Sequence, residues 1–360
     1  MIASMYHYYL MVFIKHYFIM NKLIFKDFLN GKHMGRWVCA LALLAMTLLM
    51  AGCTGNAVMV EYREQGPEPA VYFCIRDDCG KQLGSLLGKA EKSIHCAFYD
   101  LDLGNIISVL GEKSASVEVK VVLDDEPYEK ALSGPGVVVE ERPASRMHNK
   151  FCIVDGMYVW TGSFNPTFTD NTQNENNGIV MSSLYLARNY EDEFLELWSG
   201  DFSGGDAVEY PLFHHNGMMV ENLFCPEDGC EEKVVSLVSE AQRSVDAMVF
   251  SFTSEAIGDA MLLNTNAKVR GLFDASQAGS QYSQFSRLEG FEMDVRKEKG
   301  RGKLHHKVFI IDNMTVVTGS YNPTGSGSSR NDENVLILHD GKVAKRFAEE
   351  FNRLWAINGQ

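Results

Sequence analysis

The feature that most constrains the fold is an internal repeat that spans most of the chain. Ser93–Tyr99 has a counterpart in Ser244–Phe250, 151 residues later, and Glu193–Trp198 has one in Glu350–Trp355, 157 residues later. Within each copy, short runs rich in Val, Ile and Phe alternate with helical patterns. This alternation predicts an α/β fold of two tandem repeats, each a mixed β-sheet flanked by helices. Two copies in one chain are expected to pack about a pseudo-two-fold axis and to share one site, as a monomer containing an internal pseudo-dimer.

The bounds of the two copies follow from these landmarks. We predict repeats at 69–198 and 219–360, joined by a connector at 199–218 that is rich in glycine. The segment 53–68 is polar and is interpreted as a linker. Within the connector, His214 and His215 form an isolated pair for which a surface position is expected.

The first 52 residues are expected to lie outside the fold. Residues 34–52 combine a charged start, an apolar run and small residues before Cys53, a pattern that resembles a bacterial lipoprotein signal with Cys53 as the lipidated residue. Residues 1–33 are then an upstream extension. A single membrane span is the alternative, but about 20 apolar residues are needed to cross a bilayer and this run is shorter. We therefore expect export and anchoring to the membrane of the cell envelope.

The charge of the chain argues against a protein that binds nucleic acid through overall attraction. Lys and Arg number 33 and Asp and Glu 47, giving a net charge of −14, while 46% hydrophobic residues fit a globular fold. Five basic residues but only one acidic residue lie in the first 52, so the remainder carries −18. Because non-specific DNA binding depends on Lys and Arg neutralising phosphates, only local basic patches remain open.

Cysteine usage also favours an oxidising compartment. Two pairs have equal spacing, Cys74 with Cys79 and Cys225 with Cys230, and each is interpreted as a local disulfide. A four-cysteine zinc site is the alternative, although zinc sites favour tighter C-x2-C spacing. Cys96 and Cys152 lie inside apolar strand-like runs and are expected to be buried free thiols.

The strongest chemical signal is a set of polar residues that occurs once in each copy, with every member 157 residues from its counterpart. The two sets are His148, Lys150, Asp155, Ser163 and Asn165, and His305, Lys307, Asp312, Ser320 and Asn322. Further along, Glu175 and Glu333 lie in similar Asn- and Asp-containing triplets, with one extra residue before the second glutamate. Chance does not place such a set twice.

The spacing gives the motif residues a geometry on a β-strand, where residues two apart share a face. His148 and Lys150 therefore project together, as do their counterparts in the second copy. Asp155 and Asp312 lie seven residues beyond their histidines, so they face away and are predicted to be structural. The same parity turns His306 away from the site.

The Asn165-Pro166 and Asn322-Pro323 pairs predict two helix starts, because Asn is favoured at an N-cap and Pro at the first helical position. A helix N-terminus presents N–H groups that suit phosphate. Converging with the histidines and lysines, the two copies would form a pocket for a phosphodiester. Its cations would neutralise phosphate oxygens while the histidines act as nucleophile and general acid.

The paired H-x-K-x4-D-x6-G-S-x-N motifs resemble those of the phospholipase D superfamily over nearly all of residues 69–360. The resemblance implies that one histidine forms a covalent phosphohistidine, that the other protonates the leaving alcohol, and that no metal or cofactor is needed. It makes His148 and His305 the catalytic pair, the first more often the nucleophile, with Glu175 and Glu333 orienting them. Phosphate binding is assigned to Lys150, Lys307, Ser163, Ser320, Asn165 and Asn322.

Three function classes remain open. The first, which we favour, is a phospholipase D-like enzyme that hydrolyses phospholipids or transfers their phosphatidyl group, kept near lipid by its anchor. The second is an endonuclease, supported by the basic loop Arg296–Lys303, which leads into His305. The third is a non-catalytic phosphate-binding module, which is disfavoured because both copies retain every motif residue.

Overall fold

A computed structural model of the chain describes residues 61–124, 137–140, 145–300 and 302–358, with only the backbone given for 137–140. The predicted upstream extension, the signal at 34–52 and Cys53 lie outside the described residues. Among the described residues, no helix is both long and apolar enough to span a membrane.

The first repeat alternates strands and helices along the chain. Its strands, after a short β1 (Arg63–Glu64), are β2 (Ala70–Phe73), β3 (Ser93–Phe98), β4 (Glu118–Asp124), β5 (Val137–Glu140), β6 (Lys150–Val154), β7 (Tyr158–Gly162) and β8 (Asn177–Ser182). Its helices are α1 (Cys74–Asp77), α2 (Cys79–Leu87), α3 (Gly104–Lys113), α4 (Phe168–Thr172) and α5 (Leu184–Ser199).

The second repeat has the same succession. Its strands, after β9 (Leu212–His215), are β10 (Met218–Cys225), β11 (Ser244–Val249), β12 (Lys268–Asp274), β13 (Asp294–Glu298), β14 (Lys307–Ile311), β15 (Thr315–Gly319) and β16 (Glu333–His339). Its helices are α6 (Cys230–Glu240), α7 (Glu255–Leu263), α8 (Gln284–Gly290), α9 (Gly325–Ser329) and α10 (Gly341–Ile357).

The two copies form sheets with one strand order. The first sheet runs β2-β8-β7-β6-β3-β4-β5, and the second contains β10-β16-β15-β14-β11-β12-β13, which are the corresponding strands. In each, a central strand pairs in parallel with one neighbour and antiparallel with the strand that carries the motif, as β3 does with β4 and β6. The predicted α/β fold of two tandem repeats, each with a mixed sheet and flanking helices, is confirmed.

The connector contributes more structure than its glycine content predicts. Within it, β9 pairs antiparallel with β10, and β1, from the predicted linker, pairs in parallel with β9, so the second sheet has nine strands. His215 is fully buried there and contacts Glu64 and the carbonyl of Pro67, both at 3.0 Å. The expected surface position is therefore wrong for His215, while the side chain of His214 is 22% exposed.

The main hydrophobic core joins the two copies. In α5, the buried Leu186, Tyr190 and Phe194 recur at helical spacing, so one face of this helix packs inward. The ring of Tyr190 lies 5.0 Å, centroid to centroid, from that of Phe224 on β10 of the other copy. Phe151 on β6 lies 6.5 Å from the same ring. Burial of this shared apolar surface fixes one sheet against the other and so positions the loops at its edge.

Three disulfides are present in the described residues. Those between Cys74 and Cys79 and between Cys225 and Cys230 confirm the predicted pairs, each at the junction of a strand and a helix. The third joins Cys96 and Cys152, so the expectation of free thiols there is wrong. The reason is the register: β3 pairs antiparallel with β6 and places Cys96 directly opposite Cys152, with their Cα atoms 4.1 Å apart.

Candidate active site

The two motif histidines, His148 and His305, are brought together by two crossed bridges between the copies. Met147 forms an isolated parallel bridge with Asp332, and Leu304 forms one with Glu175. The backbone N–H of His148 donates to the carbonyl of Asp332, and that of His305 to the carbonyl of Glu175, both at 2.9 Å. All of these pairs map onto each other by the same 157-residue offset. The site therefore lies on the approximate two-fold axis.

Lys150 and Lys307 open strands β6 and β14 and point to the same side as the histidines, as the spacing predicted. Each ammonium donates to the carbonyl oxygen of its own histidine, at 2.6 and 2.8 Å respectively. Burial lowers the pKa of Lys150 to about 8. Burial, and then repulsion from Lys150, hold the pKa of Lys307 well below its ordinary value. An anion between the two ammonium groups would oppose both effects and favour their protonated forms.

Each histidine contacts a residue of the other copy through Nδ1. For His148 the partner is the carboxylate of Glu333 at 2.7 Å, and for His305 it is the amide oxygen of Asn176 at 2.9 Å. Both side chains remain 10% exposed, and because Nδ1 of each ring is engaged, Nε2 is the nitrogen through which a substrate would be contacted. Burial, and then the nearby lysine ammonium groups, hold the pKa of both histidines well below the ordinary value. Burial raises the pKa of Glu333 to about 7, against the opposing charge of Lys150.

The prediction that Glu175 orients one of the two histidines is wrong. The carboxylate of Glu175 pairs instead with Arg353 at 2.9 Å, and Arg353 also pairs with Glu350 at 2.6 Å. Pairing Glu175 with Glu333 requires one extra residue in the second copy. The crossed bridges show that no residue is inserted, so the counterpart of Glu333 is Asn176.

The motif serines support the partners of the histidines. The hydroxyl of Ser163 donates to Asn176 at 3.0 Å, and that of Ser320 donates to Glu333 at 2.7 Å. Both serines are fully buried. Their hydroxyl protons are thus engaged with the residues that orient the histidines, which differs from the predicted phosphate contact. The glycine before each serine has a φ near 140°, a conformation that favours glycine.

The motif asparagines do not cap helices. The short helices α4 and α9 begin two residues later than predicted, with Thr167 and Thr324 as N-caps. The amide of Asn165 donates to Asp170 at 2.8 Å. The amide oxygens of Asn165 and Asn322 are buried without a hydrogen-bond partner among the described residues. The predicted helix starts at Asn165 and Asn322 are therefore wrong, and these residues could contact a phosphate only through their side chains.

The motif aspartates lie outside the pocket, where each ties a turn to the start of a neighbouring strand. Asp155 accepts the backbone N–H groups of Glu91, Lys92 and Ser93, and Asp312 accepts those of 242–244. His306, also turned away as predicted, is fully buried and contacts the amide oxygen of Asn177 at 2.9 Å.

A pair of aromatic rings and a pair of cations flank the histidines. Tyr99 lies 4.9 Å, centroid to centroid, from the ring of His148, and Phe250 lies 4.9 Å from the ring of His305. Arg146 lies 5.4 Å above the ring of Tyr99, and Lys303 lies 5.5 Å above the ring of Phe250. Sequence reasoning missed three of these four residues, although the 157-residue offset relates Arg146 to Lys303 and the 151-residue offset relates the two rings.

Cations of the basic loop Arg296–Lys303 lie in two different environments. Arg296 stacks at 3.8 Å from the ring centroid of Trp355 and donates to its carbonyl, and Lys297 lies 4.6 Å from the ring centroid of Phe285. Among the described residues of the loop, Lys303 at its end is the cation that lies near His305. Arg296 and Lys297 are thus engaged with aromatic rings away from His305.

Comparison with known proteins agrees with this geometry. The family described as cardiolipin synthase, PLD-like domain, matches residues 83–198 and 234–355, which covers one segment in each repeat. The chain belongs to the phospholipase D superfamily. Two phospholipase D-like segments in one chain account for the doubled motif and for the shared site.

Individual relatives match one part of this phospholipase D-like chain. A mitochondrial cardiolipin hydrolase of Xenopus tropicalis is 33% identical over 136 residues, which span 36% of the chain and 65% of that relative. A phospholipase D of Rickettsia conorii is 33% identical over 142 residues, or 39% of the chain and 70% of the relative. A phosphatidylserine synthase of Haemophilus influenzae has a TM-score of 0.60 at 12% identity, over 79% of this chain and 86% of its own, and supports the fold alone.

Proposed function

We propose that this chain is a metal-independent phosphodiesterase that cleaves phospholipids through a phosphohistidine intermediate. The observation that carries the proposal is the crossed contact of His148 with Glu333 and of His305 with Asn176. Because Nδ1 of each ring is engaged, Nε2 of both rings is directed to one substrate. Two imidazoles around one phosphate can divide the work of nucleophile and general acid.

In the first step, Nε2 of His148 attacks phosphorus. A P–N bond forms, the bond from phosphorus to the leaving oxygen breaks, and His305 as an imidazolium transfers its proton to that oxygen. His148 gains positive charge as it becomes phosphorylated, and the carboxylate of Glu333 at 2.7 Å stabilises that charge. The direct Nδ1 contact is a carboxylate at His148 but a neutral amide at His305, which favours His148 as the nucleophile.

In the second step, water or another alcohol attacks the phosphohistidine. His305, now neutral, accepts the proton of the attacking oxygen, the P–N bond breaks, and both histidines return to their starting states. Lys150 and Lys307 supply the positive charge that stabilises the phosphate oxygens in both steps, the task that a metal performs in other phosphodiesterases. Reaction with water gives hydrolysis, and reaction with an alcohol gives transphosphatidylation.

Phospholipid is the substrate that we favour. Relatives at 33% identity are named for phospholipase D and for cardiolipin hydrolysis, and a lipid anchor at Cys53 would hold the site close to lipid. The three disulfides support export to an oxidising compartment, where that anchor would be attached to the envelope membrane. The net charge of −18 beyond residue 52 disfavours nucleic acid.

Nucleic acid is the second candidate because of the flanking cations. Arg146 and Lys303 lie beside opposite histidines of the pair, one contributed by each copy. A polynucleotide carries phosphates on both sides of the bond that is cleaved, so its neighbouring phosphates would match cations on both sides. A simple phospholipid has one phosphate and would not need them.

The test offers the purified chain mixed phospholipid vesicles and single-stranded DNA together, in EDTA to inhibit contaminating metal-dependent nucleases. We expect phosphatidic acid to form without cleavage of the DNA. His148→Ala and His305→Ala should each reduce turnover by at least about 1,000-fold while leaving the melting temperature close to that of the wild type. DNA cleavage alone would favour the second candidate, and near-normal turnover by either variant would contradict the shared site.

A further inference from the structure

The two histidines have unequal partners, although the site is built from two similar copies. Glu333 supplies a carboxylate to His148, but its counterpart Asn176 supplies only a neutral amide to His305. A different position compensates for the missing charge. In the first copy α4 carries Asp170, whereas the corresponding residue of α9, at the 157-residue offset, is Gly327. Each histidine therefore has one nearby carboxylate, Glu333 for His148 and Asp170 for His305, and these two residues are not counterparts in the repeat.

The placement of Asp170 is specific. Its Oδ2 atom lies 3.5 Å from Nδ1 of His305, and the residue is 4% exposed. The carboxylate is held by neutral donors: Asn165 donates to Oδ2 from its backbone N–H at 3.0 Å and from its amide at 2.8 Å, and Asn174 donates to Oδ1 at 2.6 Å. No cationic side chain forms an ion pair with it among the described residues other than His305 itself.

We propose that Asp170 is the carboxylate partner of His305 and a positioning residue for the proposed reaction, in the place that a glutamate at position 176 would take in a symmetric site. Asn176 fixes the orientation of the ring by direct contact, and Asp170 supplies the negative charge that a protonated ring requires. The same carboxylate holds the amide of Asn165, so it links the general acid to a candidate phosphate ligand.

The surrounding charges show why such a carboxylate is needed. His305 lies among Lys307, Lys150 and Lys303, all of which disfavour its protonated form, as burial does. A general acid must carry its proton before the leaving group departs. The negative charge of Asp170 also acts to raise the pKa of Lys150 and of Lys307, against the effect of burial. Asp170 therefore acts on both ammonium groups of the pocket as well as on His305.

The inference rests on the proposed function for its kinetic test. Asp170→Asn removes the charge and keeps the shape, and we expect kcat to fall about 100-fold. Adding Asn176→Glu in the same chain should restore at least tenfold of that loss, because it places a carboxylate where Glu333 stands relative to His148. Asp102→Asn is the matched control: this exposed residue accepts the backbone N–H of Phe168 on the same helix, and its variant should stay within about twofold of the wild type.

A purely structural Asp170 would give different results. In that case Asp170→Asn would lower kcat equally at all pH values, and adding Asn176→Glu would not restore it. Either outcome would overturn the proposal. If it positions the general acid, its loss lowers the pKa of His305, so the alkaline limb of the kcat–pH profile moves to lower pH. Asp170→Ser serves as a second variant without the charge, and failure of both variants to fold would assign the residue a structural role instead.

A histidine titration separates this inference from the proposed function. NMR of the labelled His305 ring, assigned with His305→Ala, should show its pKa falling by about one unit in Asp170→Asn while that of His148 changes less. This measurement needs no turnover. An inactive wild-type chain with the expected titration would refute the proposed function and keep the role of Asp170, whereas an unchanged His305 titration would refute that role.

Discussion

At the scale of single residues, Glu333 combines two opposing demands. Its carboxylate orients His148, yet the residue is fully buried and its pKa is raised to about 7 by that burial. Because the unfolded value is near 4.5, the folded protein binds this proton more tightly than the unfolded chain. The resulting stability is complete below pH 4.5 and is lost as the pH rises through 7. The site therefore keeps an ionised carboxylate at a cost in stability.

This cost gives a prediction for Glu333→Gln, which mimics the protonated acid. At pH 8.5 the variant should unfold at a temperature several degrees above the wild type, since up to about 3 kcal/mol of unfavourable ionisation is removed. The difference should close towards pH 5. Turnover should fall by at least about 100-fold because the partner of His148 loses its charge. Thermal melts at both pH values and a rate assay check the two effects.

Glu221→Gln provides the matched control, because the pKa of Glu221 is shifted in the opposite direction to that of Glu333. Burial raises the pKa of Glu221, but contacts with His339 at 2.8 Å and with Lys233 outweigh it, so the pKa lies below its ordinary value. This variant should melt at a lower temperature than the wild type at pH 8.5 and retain its turnover. A Glu333→Gln protein that also melts lower at pH 8.5 would contradict the account of the buried acid.

At the scale of secondary-structure elements, the turns after β6 and β14 depend on the motif aspartates. Asp155 and Asp312 have φ values of 59° and 56°, which Asn also tolerates, so substitution by Asn tests the carboxylate alone. Each carboxylate accepts three consecutive backbone N–H groups, two from just before β3 or β11 and one from the first residue of that strand. The start of a central strand is thereby fixed to the turn that follows the strand carrying the motif lysine.

We predict that Asp155→Asn and Asp312→Asn each lower the free energy of unfolding by roughly 2 kcal/mol, with turnover of the folded protein within about twofold of the wild type. Although burial opposes it, hydrogen bonding to backbone N–H groups lowers the pKa of both aspartates. The stability that they contribute is therefore present above the unfolded pKa of 3.8 and is lost as the pH falls through the folded value. Urea melts at pH 7 and pH 3 measure the difference, and lost turnover at unchanged stability would contradict a structural role.

Relations within one short segment are predictable from the sequence, whereas contacts between distant strands are not. The spacing of two residues places His148 and Lys150 on one face because it is local to the short stretch of chain that leads into β6. Sequence reasoning could not pair Cys96 with Cys152, because that contact depends on the register between strands more than 50 residues apart. It misassigned Glu175 because a glutamate one position away resembles Glu333 more closely than Asn176 does, and only the crossed bridges fix the alignment.

At the scale of the whole molecule, the two copies together form the candidate site. Each histidine takes its Nδ1 partner from the other copy, and the core between the sheets contains rings from both, such as Phe151 and Phe224. Neither sheet carries a complete site. Duplication within one chain has the consequence that the halves can diverge, as the unequal partners Glu333 and Asn176 show, whereas two identical subunits of a symmetric dimer could not.

This arrangement predicts the result of mixing two inactive variants. His148→Ala and His305→Ala chains, combined in equal amounts, should remain inactive, because each chain keeps one defective histidine in its only site. If the site were instead assembled between two chains, mixing would place an intact His148 opposite an intact His305, and about a quarter to a half of the wild-type activity would return. The rate of phosphodiester cleavage, measured before and after joint unfolding and refolding under oxidising conditions, distinguishes the two cases. Recovery of activity only after joint refolding would mean that the halves can exchange between chains, and recovery on simple mixing would refute the single-chain site.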